Sequence, residues 1–283
     1  MKVESRGDAR WLIAPGLELQ LQDFATVRDA FSGPVFLLAS GPSASHFPLH
    51  DYRTCPVIAM NGSVLRCIEQ GIRPFFYLCD DPNFVIGRPE LAIKGALHGE
   101  RLAMSLDVLE QIHAADRTAL QGKKVYLLER VNRSDRKPIL SDRAYAWSIR
   151  HDPELISNFS LLRRKPNRIG FSLNLARGYF GSRTIPFAGL QLSCHLGFRQ
   201  AFLIGVDLRQ QGGRFYEQGQ AALPSSLDED FEQYILPSFE LMAKRIVPRT
   251  GLQVFNLSLE SRLPHSVVPK LTAEQLDELL PRG

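Results

Sequence analysis

A chain of 283 residues with 44% hydrophobic and 23% charged side chains is long enough for one large α/β domain and has the balance of a folded globular protein. No apolar run approaches the roughly 20 residues of a membrane span. No secretory signal is read at the start, and Cys55, Cys67, Cys79 and Cys194 lack Cys-x-x-Cys spacing, so free thiols in a reducing compartment are expected and a zinc site is not. The net charge of +4 hides an asymmetry: residues 121–170 carry twelve Lys/Arg against five Asp/Glu, a local +7 that leaves −3 elsewhere. Such a face suits an anionic lipid or a phosphorylated substrate. Few aromatics interleave with these charges, which argues against nucleic acid as a partner.

In chain order, residues 1–30 read as a peripheral N-terminal segment. A first buried strand follows at Val35-Phe36-Leu37-Leu38 and stops at Ala39-Ser40-Gly41-Pro42-Ser43. An apolar run ending in a small polar turn is how a parallel strand meets a ligand-facing loop. Gly41 permits a close approach of backbone or a positive φ. Pro42 suits a first helical turn, and the amides beyond it can form an anion-binding nest. The loop is neither a Walker A loop nor a G-x-G-x-x-G turn, and Ser45 replaces the last glycine of a nucleophile elbow. A second strand is expected at 57–61, ending in Asn61, then a helix from Val64 to about Gln70, capped by Ser63 and stopped by Gly71. A third strand, 75–79, ends at Asp80-Asp81, with further strands at 102–104 and 125–128 around a helix near 106–115. Three successive strands thus end in polar residues, which predicts one shared edge lined with hydrogen-bonding groups.

The basic residues 130–170 interrupt the alternation and read as an insertion, a mobile lid or a small helical subdomain. A helix is predicted from about Ile185, with Pro186 in its first turn and Gly197 past its end. A strand at 201–204 runs into Gly205-Val206-Asp207, and the next loop carries Arg214-Phe215-Tyr216. Ser226 with Glu229 predicts a capping box for a helix to about Ile246, kinked near Pro237. A final strand is read at 254–258, and Thr272 with Gln275 caps a terminal helix. The units are therefore 1–30 (peripheral), 31–129 (a Rossmann-like nucleotide-binding half), 130–170 (basic insertion) and 171–283 (the half that completes sheet and site), on a mostly parallel α/β sheet.

The ordered set Leu38-Ala39-Ser40-Gly41-Pro42-Ser43, Ala59-Met60-Asn61-Gly62-Ser63, Ser182-Arg183-Thr184-Ile185-Pro186-Phe187-Ala188, Gly205-Val206-Asp207-Leu208, Arg214-Phe215-Tyr216-Glu217 and 256–264 resembles the RfaZ/WaaZ-type lipopolysaccharide core proteins. That resemblance implies a glycosyltransferase moving 3-deoxy-D-manno-octulosonic acid (Kdo) from CMP-Kdo onto the Kdo-containing inner core, with inversion. It also implies a Rossmann-like sheet flanked by helices, a variant of the GT-A type. The acceptor would be a phosphorylated Kdo-lipid A glycolipid, and the enzyme a peripheral protein on the cytoplasmic face of the inner membrane.

The chain is more distantly similar to bacterial sialyltransferases that use CMP-sialic acid. Carried over, Ser40, Gly41, Ser43 and Asn61 lie near the nucleotide, Arg183, Thr184, Gly205 and Asp207 near cytidine and phosphate, and Arg214 and Tyr216 in the following loop. The catalytic His that those enzymes place after the Gly-x-Asp strand has no counterpart between His195 and His265. Asp80 and Asp81, at a strand end, are the candidates for the base, although a strand-end cap explains them as well. His195, late in an apolar helix, reads as a satisfied core or surface histidine rather than a base. Arginines suit a phosphate or sugar carboxylate, and with a monophosphate leaving group no metal cofactor is required. Arg163, Arg164, Lys165 and Arg262 are assigned to the acceptor and membrane side. Two alternatives stand beside this reading: a pterin pyrophosphokinase-like enzyme, which would need Mg²⁺, and a sugar-nucleotide-binding partner without catalysis.

Overall fold

The computed structural model describes residues 1–133, 138–162, 164–217, 222–223, 226–280 and 282. Strands β1 (Lys2–Arg6), β2 (Ala9–Ala14) and β3 (Leu17–Gln20) form an antiparallel sheet. Then β4 (Pro34–Leu38), β5 (Val57–Met60), β6 (Phe76–Cys79), β7 (Arg101–Met104) and β8 (Lys124–Leu127) alternate with helices α1 (Val64–Glu69), α2 (Pro82–Gly87), α3 (Pro89–His98) and α4 (Leu106–Ala115). Helix α5 (Asp142–Ser148) and the antiparallel pair β9 (Leu155–Ser157) and β10 (Gly170–Ser172) precede α6 (Ile185–Leu196), β11 (Gln200–Ile204) and β12 (Gln253–Asn256). Seven of these strands make one parallel sheet in the order β12-β11-β4-β5-β6-β7-β8.

Both faces of this sheet are covered, which is why its strands read as unbroken apolar runs. Val35 and Leu37, Ile58 and Met60, and Phe76 and Leu78 face one core with Phe187 and Leu190 of α6 and Phe239 and Ile246 beyond them. Their neighbours Phe36 and Leu38, Val57 and Ala59, and Tyr77 and Cys79 face the other, with Val64, Leu91, Val108 and Ile112. The two-residue alternation of a strand sorts adjacent side chains to opposite layers. The α/β architecture is therefore that expected.

Four local expectations change. Residues 1–30 are a built sheet: Leu12 and Leu17 enter one core, Phe24 the other, and the Gln22 amide donates to Val125 O at 2.7 Å along the β8 edge. An edge strand is thereby covered. Residues 130–170 are not simply helical, since β9 buries Leu155 and Ile156. Ser63 does not cap α1; its buried hydroxyl donates to Leu38 O at 2.7 Å and accepts from the Met60 amide at 2.8 Å, tying β4 to β5. Ser226 makes no capping bond, its hydroxyl going to Asp230 Oδ2 at 2.7 Å. The helix after it runs on from Leu227 to Thr250, and the turns Phe231–Ile235 and Met242–Ile246 are widened to π geometry. Each widened turn comes just before a proline, Pro237 or Pro248, whose ring would strike an upstream carbonyl in a regular helix.

His195 is buried in α6, so of the core and surface readings the structure decides for the core. Its Nδ1 accepts from the Leu175 amide at 3.3 Å, so Nε2 carries the proton and donates to Phe24 O at 2.8 Å. Burial lowers its pKa below 6.5. The unfolded chain therefore takes up this proton first, and stability contributed by neutral His195 is complete above about pH 6.5 and lost as pH falls through the lowered folded value. Urea titrations from pH 8 to 5 should show this decline. His195→Leu should flatten it while costing about 1–3 kcal/mol at pH 8, because the Leu175 amide and Phe24 carbonyl lose their partner.

Candidate active site

The chain leaves β4 toward β5 and returns through α6 to place β11 on the other side of β4. The loops after β4 and β11 therefore diverge, and ligands of open parallel sheets lie in the crevice at that switch point. Here the two loops touch. The Ala39 amide donates to Ile204 O at 2.8 Å, and the Gly41 amide to Gly205 O at 2.9 Å. Gly41 is in an ordinary extended conformation, with φ −63 and ψ 159, so its need for glycine is spatial. A Cβ there would stand 2.1 Å from Asp207 Oδ2 and 2.5 Å from Gly205 O. Gly205 needs glycine twice over: φ is +70, and its Cβ would meet Ala39 O at 2.6 Å.

Asp207 is buried beneath this contact, and its Oδ2 accepts the Ser43 amide at 3.1 Å. The Ser43 amide of the expected anion nest is thus engaged by a carboxylate of the chain itself. The Ser43 hydroxyl lies 2.7 Å from that of Ser258. The Phe215 amide donates to Ser40 O at 3.0 Å, which sets Tyr216 over the end of β5, where a Cβ on Gly62 would be 2.2 Å from its ring. Burial pushes the Tyr216 hydroxyl up to about 12. Asn61 closes the same edge in the left-handed region, φ 49, and its buried Oδ1 accepts no hydrogen bond. Ser40, Gly41, Ser43, Asn61, Gly205, Asp207 and Tyr216 are therefore brought to one edge.

The arginines are less exposed to a ligand than their spacing suggests. Arg214 Nη1 is 2.7 Å from Glu217 Oε1 and clamps its own loop. Arg262 donates its amide to Asp207 O at 3.0 Å, while its guanidinium lies 3.8 Å from the Phe231 ring centre and 2.5 Å from Asp228 Oδ1. Arg183 is the loosest. Its φ is 66, its Nε is 4.0 Å from Asp230, and its guanidinium is 5.6 Å from the Tyr234 ring centre. Thr184 stands at the start of α6 with no capping bond. Because α6 runs against the strands it packs on, Arg183 and Thr184 lie at the carboxyl edge.

Asp80 ends β6, two strand spacings or about 10 Å from β4. Its Oδ2 accepts from Arg130 Nη2 at 2.7 Å and from the Tyr179 hydroxyl. Asp81 turns away into a cap, accepting the Asn83 amide at 3.0 Å and the Phe84 amide at 3.2 Å on Oδ1. Arg164 and Lys165 gather elsewhere, on a cavity of about 640 Å³ shared with Arg143, Arg168 and Tyr234. Arg163 lies outside the described residues. No group of three His, Cys, Asp or Glu among the described residues is placed to hold a metal. Sequence reasoning left out Gly62, Ser258 and Tyr179, and counted Arg130 only within the basic, lipid-facing segment 121–170. The first two sit in the quoted motifs, but nothing local marks Arg130 and Tyr179 as partners of Asp80.

Gly41→Ala should cost about 1–3 kcal/mol of stability by overpacking. Adding Asp207→Ala should recover part of that, since one of the two clashes is with its carboxylate. A double-mutant cycle from urea midpoints measures the coupling.

Comparison with known proteins gives the family. The family described as 3-deoxy-D-manno-octulosonic acid transferase WaaZ matches residues 20–274. A relative from Salmonella typhimurium strain LT2, "Probable 3-deoxy-manno-octulosonic acid transferase", is 28% identical over 260 residues, 92% of this chain and 93% of that one. One of the same name from Escherichia coli K12 is 25% identical over 250 residues, 88% and 86% of the two chains. The MAf glycosyltransferase structure from Magnetospirillum magneticum AMB-1 aligns with 17% identity and a TM-score of 0.46, across 88% of this chain and 34% of that one. The match along nearly the whole chain places this protein in the 3-deoxy-D-manno-octulosonic acid transferase WaaZ family.

Proposed function

We propose that the chain transfers Kdo from CMP-Kdo onto the Kdo-containing inner core of lipopolysaccharide, with inversion and without a metal ion. The observation that carries this reading is the convergence of Gly41, Asn61, Gly205, Asp207 and Tyr216 at the switch point of a sheet whose chain belongs to a Kdo transferase family. The nucleotide is assigned to the edge over β11, β4 and β5. The buried Asn61 Oδ1, without a partner in the chain, is an acceptor that a donor group of a bound ligand would satisfy. Arg183 and Thr184, at the start of α6, are assigned to the phosphate. Arg183 is held by one distant carboxylate and can re-aim its guanidinium at an anion.

In this reading the bond from the anomeric carbon to the phosphate oxygen breaks while the acceptor hydroxyl oxygen bonds to the opposite face. The hydroxyl proton goes to Asp80 or Asp81, and CMP leaves with the bonding electrons. Asp80 is the better placed. Arg130 and Tyr179 fix one of its oxygens, whereas Asp81 spends an oxygen capping α2. The acceptor is a phosphorylated Kdo-lipid A glycolipid, approached by a protein resting on the cytoplasmic face of the inner membrane. No helix among the described residues is long and apolar enough to cross a membrane.

Turnover of CMP-Kdo with a Kdo-lipid A acceptor tests the activity, and it should survive excess EDTA. Strict Mg²⁺ dependence would instead favour a pyrophosphokinase-like reaction, and CMP binding without turnover a non-catalytic partner. Asp80→Asn should lower kcat about 10²–10⁴-fold, as loss of a general base does. The KM for CMP-Kdo should hold. Arg183→Ala should raise that KM about 10–100-fold, the weight of a charged hydrogen bond. An Asp80→Asn variant with full kcat would remove Asp80 from the mechanism.

A further inference from the structure

The basic insertion carries two features that the transfer reaction does not use. One is the cavity of about 640 Å³ lined by Arg143, Arg164, Lys165, Arg168, Leu140 and Tyr234. Arg168 is paired with Asp142 at 2.6 Å, and Lys165 donates to Gln233. Arg143 and Arg164 have no carboxylate partner among the described residues. Four cations facing one cavity beside a single acid make a site for a dianion, and arginine forks match phosphoryl oxygens.

The other feature is apolar. Nine large hydrophobic side chains stand exposed among the described residues, and five of them lie between 139 and 162: Ile139, Leu140, Trp147, Leu161 and Leu162. Leu162 is 94% exposed and Leu161 68%. Leu140 belongs to both features, since it also lines the cavity. Trp147 lies 5.2 Å from Phe159 by ring centres, and Arg150 covers its face at 3.8 Å. Exposed leucines and a tryptophan among arginines are the composition of a surface that enters the headgroup region of an anionic bilayer.

We propose that this face docks on an anionic lipid bilayer, with the phosphoryl headgroup of one lipid held in the cavity and Leu161 and Leu162 entering the acyl boundary. Charge complementarity selects this occupant, because a soluble phosphate would use the cations and leave the leucines in water. Position fits as well. Tyr234 joins the cavity to Arg183 at the carboxyl edge, so a docked lipid would lie beside the transfer site. The inference deepens the reading of the acceptor as membrane-borne, but its test uses no transfer reaction.

The full chain is to be sedimented with phosphatidylcholine vesicles, with and without phosphatidic acid, at low ionic strength. Binding is expected only to the anionic vesicles. Each basic residue at such a surface contributes about fivefold in affinity, so Arg143→Ala with Arg164→Ala should weaken binding about 30-fold. Leu161→Asn with Leu162→Asn should weaken it at least about tenfold, since each leucine buries apolar area in the bilayer. Both pairs of side chains are exposed, so folding, checked by circular dichroism, should not change. The CMP-induced melting shift should match the wild type in both variants; its loss in the wild type would count against the proposed donor and leave docking to stand on the vesicle data. Vesicle binding unchanged in either variant overturns the proposal. So does binding that inorganic phosphate abolishes and the leucines do not affect, which would make the cavity a soluble-anion site. A leucine variant that dissociates a dimer but keeps its vesicle binding overturns it too, giving the apolar patch to a second copy.

Discussion

The edge is organised by the approach of two loops to within a backbone hydrogen bond, Gly41 N–H to Gly205 C=O at 2.9 Å. Neither position has room for a Cβ: at Gly41 the space is taken by the Asp207 carboxylate and Gly205 O, at Gly205 by Ala39 O and the Ala44 methyl. Other segments hang on this contact. Ser261 Oγ donates to Val206 O at 2.6 Å, Asn256 Nδ2 donates to the same oxygen at 3.3 Å, and the Arg262 amide donates to Asp207 O, so the loop after β12 is moulded round the loop after β11. The 215–217 turn is fixed to Ser40 O on the other side. Backbone groups that would otherwise be buried unpaired find their partners in each other.

Charge is distributed in keeping with this. At the carboxyl edge most arginines are neutralised by the chain, Arg214 by Glu217, Arg262 by Asp228 and Arg130 by Asp80. These pairs set loop positions, and Arg183 is the exception, at 4.0 Å from Asp230. In the insertion the balance reverses. Arg143 and Arg164 project without carboxylate partners among the described residues, next to leucines that gain nothing from water. The local +7 read from composition thus includes, among the described residues, arginines that no carboxylate of the chain neutralises.

The strands of the large sheet were legible because burial on both faces leaves a continuous apolar run, and their ends because small polar residues interrupt it. Helix α4 appears at 106–115, where its pattern put it, and α6 carries Pro186 in its first turn and stops at Gly197, which takes φ 99. The order of polar strand ends also predicted a common edge. Other local signals misled. A serine three residues before a glutamate resembled a cap at 226, yet its hydroxyl met Asp230. The N-terminal strands, half-exposed and only four to six residues long, were too weakly patterned to separate from a peripheral tail.

By itself the sequence determined the alternation of strands and helices, the parallel sheet and the residues at its carboxyl edge. Each of these follows from patterns within a few residues: hydrophobic periodicity, prolines and glycines at helix ends, polar stops. Only the tertiary structure decided that Gly41 serves Asp207, that Asp80 is held by Arg130 and Tyr179 while Asp81 caps a helix, and that the basic insertion encloses a cavity beside exposed leucines. Gly41 and Asp207 are separated by more than half the chain, as are many of the groups that meet at this edge. Such pairings are chosen by whichever packing leaves the fewest buried polar groups unpaired, a property of the whole fold that no local pattern encodes.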